Sequence, residues 1–376
     1  VGRKLKIGIL SPDLCMHSLA YLITQPLINF TKLTQHELYL YHLRAHTDTV
    51  TDQLAKSATK FEHVHSCTDD QITQMIVDDK IDVLIDISGF TAETRLSVYA
   101  RQPAPVQIGW ISGMMTPTGL SSIPYFITDP YMKPEKLDPA LCTPITLPTA
   151  LTYHTLREKE LEIGPAPVDR NGYVSFASFN NPCKINTDVL KAWGEILGKT
   201  PKSRLHLKTY SALDSTRITH YFSKVGIDPS RLVIMPTLPS TTDVQNYYSQ
   251  HVDIFLDAWP CSGCLTTVEA MWMGVPVISY YSDVFCSRQT HSILNNVGIT
   301  DLSHPTVDGY IASAIKLAST PTRIKKLRNE LRGMLSKSPL CNYRQMALDL
   351  GKACEDAWSQ LAVPKKHALD LLHNRT

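Results

Sequence analysis

The sequence predicts an α/β protein built from two doubly wound halves, each a parallel sheet covered by helices on both faces. Three observations predict it. Strand-like apolar runs alternate with amphipathic helical stretches along the whole chain. Runs such as "IDVLIDISG" (81–89) are continuously apolar, which is how strands buried on both faces read. The alternation breaks once, at a Pro-rich stretch, and then restarts. A length of 376 residues suits two domains of ordinary size.

The elements follow in order. "LKIGILS" (5–11) is a strand, and a helical stretch lies near 17–32. "HELYLYHL" (36–43) is a second strand, "DDQITQMIVDDK" (69–80) an amphipathic helix, and 81–89 a buried strand. "PVQIGWISG" (105–113) and "IPYFITD" (123–129) continue the series. The stretch 141–172 holds several prolines and no clean period, so the linker is expected within 155–172. "YVSFASFN" (173–180) restarts the rhythm as a strand. "NTDVLKAWGEILGKTP" (186–201) is a helix with Asn186 or Thr187 near its start and Pro201 past its end. Strands at 203–210, 231–236, 252–259 and 275–281 alternate with helices at 215–226, 241–250 and 265–274. From "HSILNNVG" onward the chain is mostly helical. The expected domains are 1–160 and 165–340, facing a cleft, with 341–376 as helices returning to the first domain plus a tail.

Composition bounds the function. With 43% hydrophobic and 19% charged residues, the chain carries enough apolar material for two cores. No apolar run is long enough to span a membrane. A net charge of +2 argues against a dedicated nucleic-acid binder. Val1-Gly2-Arg3-Lys4 leads straight into a strand, so no secretory signal is expected; the absent initiator Met suggests excision from a longer chain. The nine cysteines are odd in number and scattered, which points to a reducing, cytoplasmic compartment without functional disulfides.

One stretch, "LDAWPCSGCLTTVEAMWMGVPVI" (256–278), places Cys261 and Cys264 between a strand and a helix. A zinc site needs four ligands, and no second Cys-x-x-Cys occurs. A redox pair has this local look, although a small redox fold does not need the preceding βαβ units. A third reading is a phosphate loop. Gly263 lets the backbone approach a ligand, the helix start offers free N–H groups and a positive dipole end, and Thr266 and Thr267 add hydroxyls. Glu269, about one turn in, suits a ribose diol. An ordinary helix start capped by Thr accounts for the same letters.

Several stretches together carry a resemblance: "SPDLCMHS" (11–18), "RQPAPVQIGWISG" (101–113) with Thr118-Gly119, "YFITDPYMKPE" (125–135), "FNNPCKI" (179–185), 257–278, "FCSRQTHSILNNVG" (285–298) and "SPLCNYRQMALDL" (338–350). In this order they resemble the catalytic region of the O-GlcNAc transferase and SPINDLY-like family. The resemblance implies a GT-B fold and an inverting, metal-independent transfer of sugar from a nucleoside diphosphate to protein Ser or Thr. It implies UDP-GlcNAc first as donor and GDP-fucose as the alternative; a degenerate GT-B scaffold that binds a partner is the non-enzymatic alternative. No cofactor beyond the nucleotide sugar is expected. The expected partners are that donor, an acceptor protein and an upstream tetratricopeptide repeat domain, which this sequence does not contain.

The resemblance also assigns residues. Lys184, after the strand "YVSFASF", stands at the diphosphate-binding lysine, where a fixed cation replaces a metal. Asn180 and Asn181 shape the same turn. His17 stands at a histidine that faces the acceptor, with Asp13 to orient it. Gly113 and Gly119 bracket a loop expected near acceptor and donor. Gln245 and Ser240 stand where relatives carry a base-stacking His and a base-contacting Lys. Cys264 replaces a His and Leu265 a Thr of the nucleotide loop, while Thr266 and Glu269 are kept. Arg288 is expected to hold the loop or the sugar. Asp86, Ser88 and Gly89 are read as architectural.

Overall fold

The computed structural model describes residues 3–154 and 161–361. Val1, Gly2, residues 155–160 of the expected linker and the tail beyond 361 lie outside the described residues. Two compact units emerge. The first takes the described residues up to Thr128, Leu137–Thr152 and those from Tyr343 on; the second takes Asp129–Lys136 and Tyr153–Asn342.

In the first unit the strands are β1 (Lys6–Ser11), β2 (Glu37–His42), β3 (Lys60–His63), β4 (Val83–Asp86), β5 (Val106–Gly109), β6 (Tyr125–Thr128) and β7 (Thr143–Thr146). They form one parallel sheet in the order β3-β2-β1-β4-β5-β6-β7. Ile7, Ile9, Ile85 and Ile108 are fully buried, as strands covered on both faces require. On one face Ile72, Ile76, Val98 and Tyr99 of the helices Asp69–Asp78 and Leu96–Ala100 cluster with Leu10, Tyr41 and Leu84. The Tyr99 hydroxyl donates towards the carbonyls of Leu10 (3.1 Å) and Ile85 (2.9 Å), pinning the ends of β1 and β4 side by side. Elsewhere the helix Ala20–Leu33 packs against Tyr343–Leu361. Gly351 permits the approach: a Cβ there would lie 2.9 Å from Thr34 Cγ2.

The second unit holds β8 (Ser175–Ser178), β9 (Arg204–Lys208), β10 (Leu232–Met235), β11 (Ile254–Leu256), β12 (Val277–Tyr280) and β13 (Ser303–His304). They too are parallel, in the order β10-β9-β8-β11-β12-β13. Asn186 is the N-cap of Thr187–Lys199, accepting from the amides of Asp188 and Val189. Both sheets are doubly wound: strand order reverses between β1 and β4 in one and between β8 and β11 in the other. Open sheets of this kind bind ligands beyond the strand carboxyl ends at that reversal.

The sequence reading found every strand except three edges, β3, β7 and the two-residue β13, which lies in the stretch read as mostly helical. β3 is short and half-polar, and β7 carries Pro144, which a sheet tolerates only at an edge. It also passed over the helix Thr49–Ser57 and, inside the expected linker, the short helix Pro167–Asn171.

Arg328, on the helix Pro321–Lys337, is buried in the second unit. Its guanidinium donates to the carbonyls of Gly164 (2.8 Å), Val252 (3.1 Å) and Ser249. Nearby, burial pushes the Asp253 carboxyl up to about 6 although the amides of Ser175 and Val168 and the Arg328 charge oppose it. Removing one member of such a buried polar set costs about 3–5 kcal/mol. Arg328→Ala should therefore lower the unfolding free energy of this unit by about that amount and shift its urea midpoint down, with Arg328→Lys recovering part; an unchanged midpoint refutes the assignment.

Candidate active site

The second unit's site is built around a residue the sequence reading passed over. Asp257, fully buried, directly follows β11 at the strand-order reversal. Its Oδ1 accepts from the amides of Ala258 (2.9 Å) and Gly263 (2.8 Å) and from Asn180 Nδ2 (3.0 Å), and Oδ2 from Ser279 Oγ (2.8 Å). The Tyr310 hydroxyl donates to its backbone carbonyl (3.0 Å) and accepts from Trp193 Nε1 (2.8 Å). One carboxyl group thus ties β8, β11, β12 and the 258–263 loop together. The signal was in the sequence: an aspartate closing a central apolar strand.

Around it the predicted residues gather. Asn180 is buried and accepts from Thr266 Oγ1 (3.3 Å). Gly263 fits because it has no side chain: a Cβ would stand 2.6 Å from Thr267 Oγ1, 2.8 Å from Thr266 Oγ1 and 3.2 Å from Asp257 Oδ1. Thr267 is buried, its hydroxyl sharing a 2.9 Å hydrogen bond with Thr290, which donates in turn to the Gly263 carbonyl. That hydroxyl therefore shapes the loop. Lys184 Nζ donates to the Ser262 carbonyl at 2.9 Å, which fixes an ammonium beside the loop. The helix Leu265–Trp272 begins at the loop's end, and its first amides have no preceding turn to bond.

Three thiols share this neighbourhood. A hydrogen bond from Cys286, seconded by the Lys184 charge, pulls the Cys261 thiol down to about 6 against the opposing effect of burial. Burial pushes Cys264 up to about 12. None of the cysteines is in a disulfide, and among the described residues no group of three or more His, Cys, Asp or Glu side chains is arranged to hold a metal.

Other predicted residues lie apart from this centre. Asn181 is exposed and caps the turn Pro182–Lys184 by accepting from the Cys183 amide. Arg288 is buried with Nε on the Tyr131 carbonyl (2.9 Å) and its guanidinium over the Tyr281 ring, so it braces loops. Ser240 caps the helix Thr241–His251. Gln245 and Glu269 are both buried, and the Gln245 Nε2 has no partner among the described residues. Glu269 acts electrostatically on the neighbouring Tyr248 hydroxyl.

The first unit repeats the plan with different surroundings. Asp86 closes β4 at the reversal; its carboxyl accepts from the amides of Ser88 and Gly89 (both 3.0 Å) and from Ser112 Oγ (3.0 Å). Burial pushes that carboxyl up, and these hydrogen bonds pull it back. Ser88 lies 2.7 Å from Ser11 and 3.4 Å from Asp13. Buried Asp13 stands 3.5 Å from His17 Nδ1 and 3.6 Å from Arg44; burial pushes its carboxyl up, and these two neighbours oppose this. Gly113, at φ +70°, passes so close to Ser88 that a Cβ would lie 2.7 Å from its carbonyl. Gly119, at φ +74°, is further off, its nearest neighbour the Leu141 side chain at 3.9 Å.

Two doubly wound parallel units with polar residues collected at the strand carboxyl ends are the architecture of GT-B glycosyltransferases. The chain belongs to glycosyltransferase family 41, whose model, Glycosyl transferase family 41, matches residues 1–144 and 169–350. It is 33% identical over 384 aligned residues to the Solanum lycopersicum protein named "Probable UDP-N-acetylglucosamine--peptide N-acetylglucosaminyltransferase SPINDLY", covering 99% of this chain and 41% of that one. Against the Arabidopsis thaliana "Probable UDP-N-acetylglucosamine--peptide N-acetylglucosaminyltransferase SEC" it is 25% identical, covering 95% and 37%. The chain thus spans about two fifths of the length of these relatives. The solved structure of a Thermobaculum terrenum O-GlcNAc transferase variant superposes with a TM-score of 0.87 at 29% identity, covering 96% of this chain and 69% of that one. The lipopolysaccharide outer core galactosyltransferase WaaB (TM-score 0.59, 13% identity, covering 94% and 99%) shares the fold alone. The resemblance read from the motifs is borne out.

Gly263→Ala should leave the circular dichroism of the protein intact while displacing the loop. The added carbon cannot sit within 3 Å of two threonine hydroxyls. The readout is hydrogen exchange of the Gly263 amide, which should accelerate once its bond to Asp257 is lost; unchanged protection refutes the steric argument.

Proposed function

We propose that this chain is an inverting protein O-glycosyltransferase that moves N-acetylglucosamine from UDP-GlcNAc to a Ser or Thr hydroxyl, without a metal. The observation that carries the reading is the Lys184 ammonium held on the Ser262 carbonyl beside the start of the helix Leu265–Trp272. A departing nucleoside diphosphate gathers negative charge, and a fixed cation plus helix-end amides stabilise it where it forms. The acceptor oxygen attacks the anomeric carbon as the bond to the phosphate oxygen breaks, and the diphosphate leaves with the electron pair. A single displacement inverts the carbon. His17, oriented by Asp13, takes the hydroxyl proton or positions the acceptor. Glu269 receives the ribose hydroxyls, and Asn180, Gly263, Cys264 and Thr266 line the phosphate side. The names of the relatives supply the donor and the acceptor class. The greater length of those relatives supports an upstream repeat domain that helps select the acceptor protein, and the free cysteines support a cytoplasmic setting.

A second reading, a GDP-sugar donor, has its own support. Ser240 is occupied as a helix cap and Gln245 is buried, so the base pocket differs from one with a stacking histidine and a lysine. Thermal shifts with UDP, UDP-GlcNAc, GDP and GDP-fucose separate the two, since a ligand that binds the native state raises its stability. Stabilisation by GDP alone overturns the uridine assignment, and binding without transfer or donor hydrolysis leaves a scaffold.

Lys184→Ala should reduce turnover by about 10²–10³-fold with the fold intact by circular dichroism. Glu269→Ala should act mainly on donor KM, because a ribose contact changes little between ground and transition state. EDTA should leave the parental rate unchanged. Parental turnover by Lys184→Ala places the phosphate site elsewhere.

A further inference from the structure

We propose that Cys261 is an oxidant-sensitive thiol resolved by Cys286, and that the disulfide they form disables the loop that holds Lys184. The sequence analysis expected no functional disulfide, and none is present in the fold; this bond forms only under oxidant and departs from that expectation. The geometry sets the pair apart from the other cysteines. Cys286 Sγ lies 3.6 Å from the carbonyl of Pro260, the residue before Cys261, and both thiols are half-buried, open to a small oxidant. Their backbones are already tied: the Ser262 amide (2.9 Å) and hydroxyl (3.1 Å) both donate to the Cys286 carbonyl. Gln289 Nε2 reaches Cys261 Sγ at 3.8 Å and the Cys286 carbonyl at 3.0 Å.

The electrostatics agree. Burial pushes the thiols of Cys15, Cys142 and Cys354 up, as in inert packing cysteines. Cys261 moves the other way, through Cys286 first and the Lys184 ammonium after it. The thiolate is the form that attacks peroxides. Cys286 is pushed up chiefly by its bond to Cys261, so it stays a thiol while Cys261 is the anion. Once Cys261 is oxidised to the neutral sulfenic acid, that cause is removed and Cys286 becomes the better nucleophile.

The chemistry balances with hydrogen peroxide as oxidant. The Cys261 thiolate attacks one peroxide oxygen, the O–O bond breaks, and hydroxide leaves and is protonated to water. The Cys286 sulfur then attacks the Cys261 sulfur, and the sulfenic oxygen leaves as a second water. Two thiols and one peroxide become a disulfide and two waters. The sulfurs close to about 2.05 Å. That closure drags Cys261 and therefore Ser262, whose carbonyl holds Lys184. A charge-assisted contact of the kind Lys184 offers a phosphate contributes about 1.5–3 kcal/mol, so nucleotide affinity should fall at least about tenfold. This last effect rests on the donor site proposed above; the thiol chemistry does not.

The experiment uses the whole chain with peroxide, UDP as probe, and non-reducing peptide mass spectrometry. The expected result is a linked Cys261–Cys286 peptide, reversed by dithiothreitol and absent from Cys261→Ser and Cys286→Ser. Oxidised parent should bind UDP at least about tenfold more weakly than reduced parent, and oxidised Cys286→Ser should not. Iodoacetamide labelling of Cys261 should rise with an inflection well below the roughly 8.5 of an ordinary thiol. A link to Cys264 instead, no link, or full linkage with unchanged UDP affinity overturns the proposal. Failure of the reduced parent to bind UDP sinks the donor reading instead, and the mass spectrum still decides the thiol chemistry.

Discussion

The second unit depends on how it satisfies one buried carboxyl group, that of Asp257. It has no cationic side chain among its hydrogen-bond partners. It is held by the amides of Ala258 and Gly263, the Asn180 amide group and the Ser279 hydroxyl. An unmet buried polar group costs roughly 1–3 kcal/mol, so each donor is fixed in place by the need to meet this acceptor. The loop after β11 therefore has one conformation rather than several. Gly263 is compelled by the same demand, because only a residue without Cβ brings its amide to Asp257 between two threonine hydroxyls. Thr267 and Thr290 close the far side of the turn. The result is a rim that presents the start of a helix and a lysine held by the Ser262 carbonyl.

The first unit solves the same topological problem in the same way. Asp86 ends the strand beside β1, as Asp257 follows the strand beside β8. Each accepts from two amides of the loop that follows and from a serine hydroxyl on the neighbouring strand or turn. What differs is what the rim carries. Beside Asp86 stand Asp13, His17 and Arg44, a group suited to proton handling. Beside Asp257 stand Lys184 and thiols, a group suited to anions. The cost also differs. After β5 the chain puts Ile111, Ser112 and Met115 at positive φ, which non-glycine residues avoid. Asp86 holds this turn through Ser112, and such strain persists only where surrounding bonds over-determine it.

Legibility of the sequence divided along physical lines. Central strands were readable because burial on both faces forces apolar runs, as in "IDVLIDISG". The edges β3 and β7 were not, since half-exposed strands can be polar and admit Pro144. Within the candidate site, residues that a motif marks were found: Lys184, Gly263, Thr266, Asn180. Asp257 was not, because an aspartate at a strand end looks the same whether it turns to solvent or into the core. Thr267 was read as a ligand contact and Arg288 as a holder of the loop or the sugar; the polar atoms of both serve the loop and its neighbours. Sequence gives donor and acceptor types; which of them are already spent on the fold is a property of three-dimensional packing.

That distinction sharpens what the site can still offer a ligand. Ser240 and Asn181 are taken by caps, Thr267 by Thr290, and Arg288 by Tyr131 and the Tyr281 ring. Lys184 is different: one of an ammonium's three donors meets a carbonyl at 2.9 Å and another is turned to the Cys261 sulfur, an interaction an anion can replace. Its charge is answered nearby by a thiol that gives up its proton with unusual ease. A thiolate and a diphosphate seek the same cation, so each weakens the other's claim on it. An anion at Lys184 returns the proton to Cys261, and protonation of that thiolate leaves Lys184 to the anion, whereas disulfide formation also moves the Ser262 carbonyl that holds it. Affinity at this loop is thereby linked to the state of a cysteine that need touch no ligand, because both act through the same fixed charge.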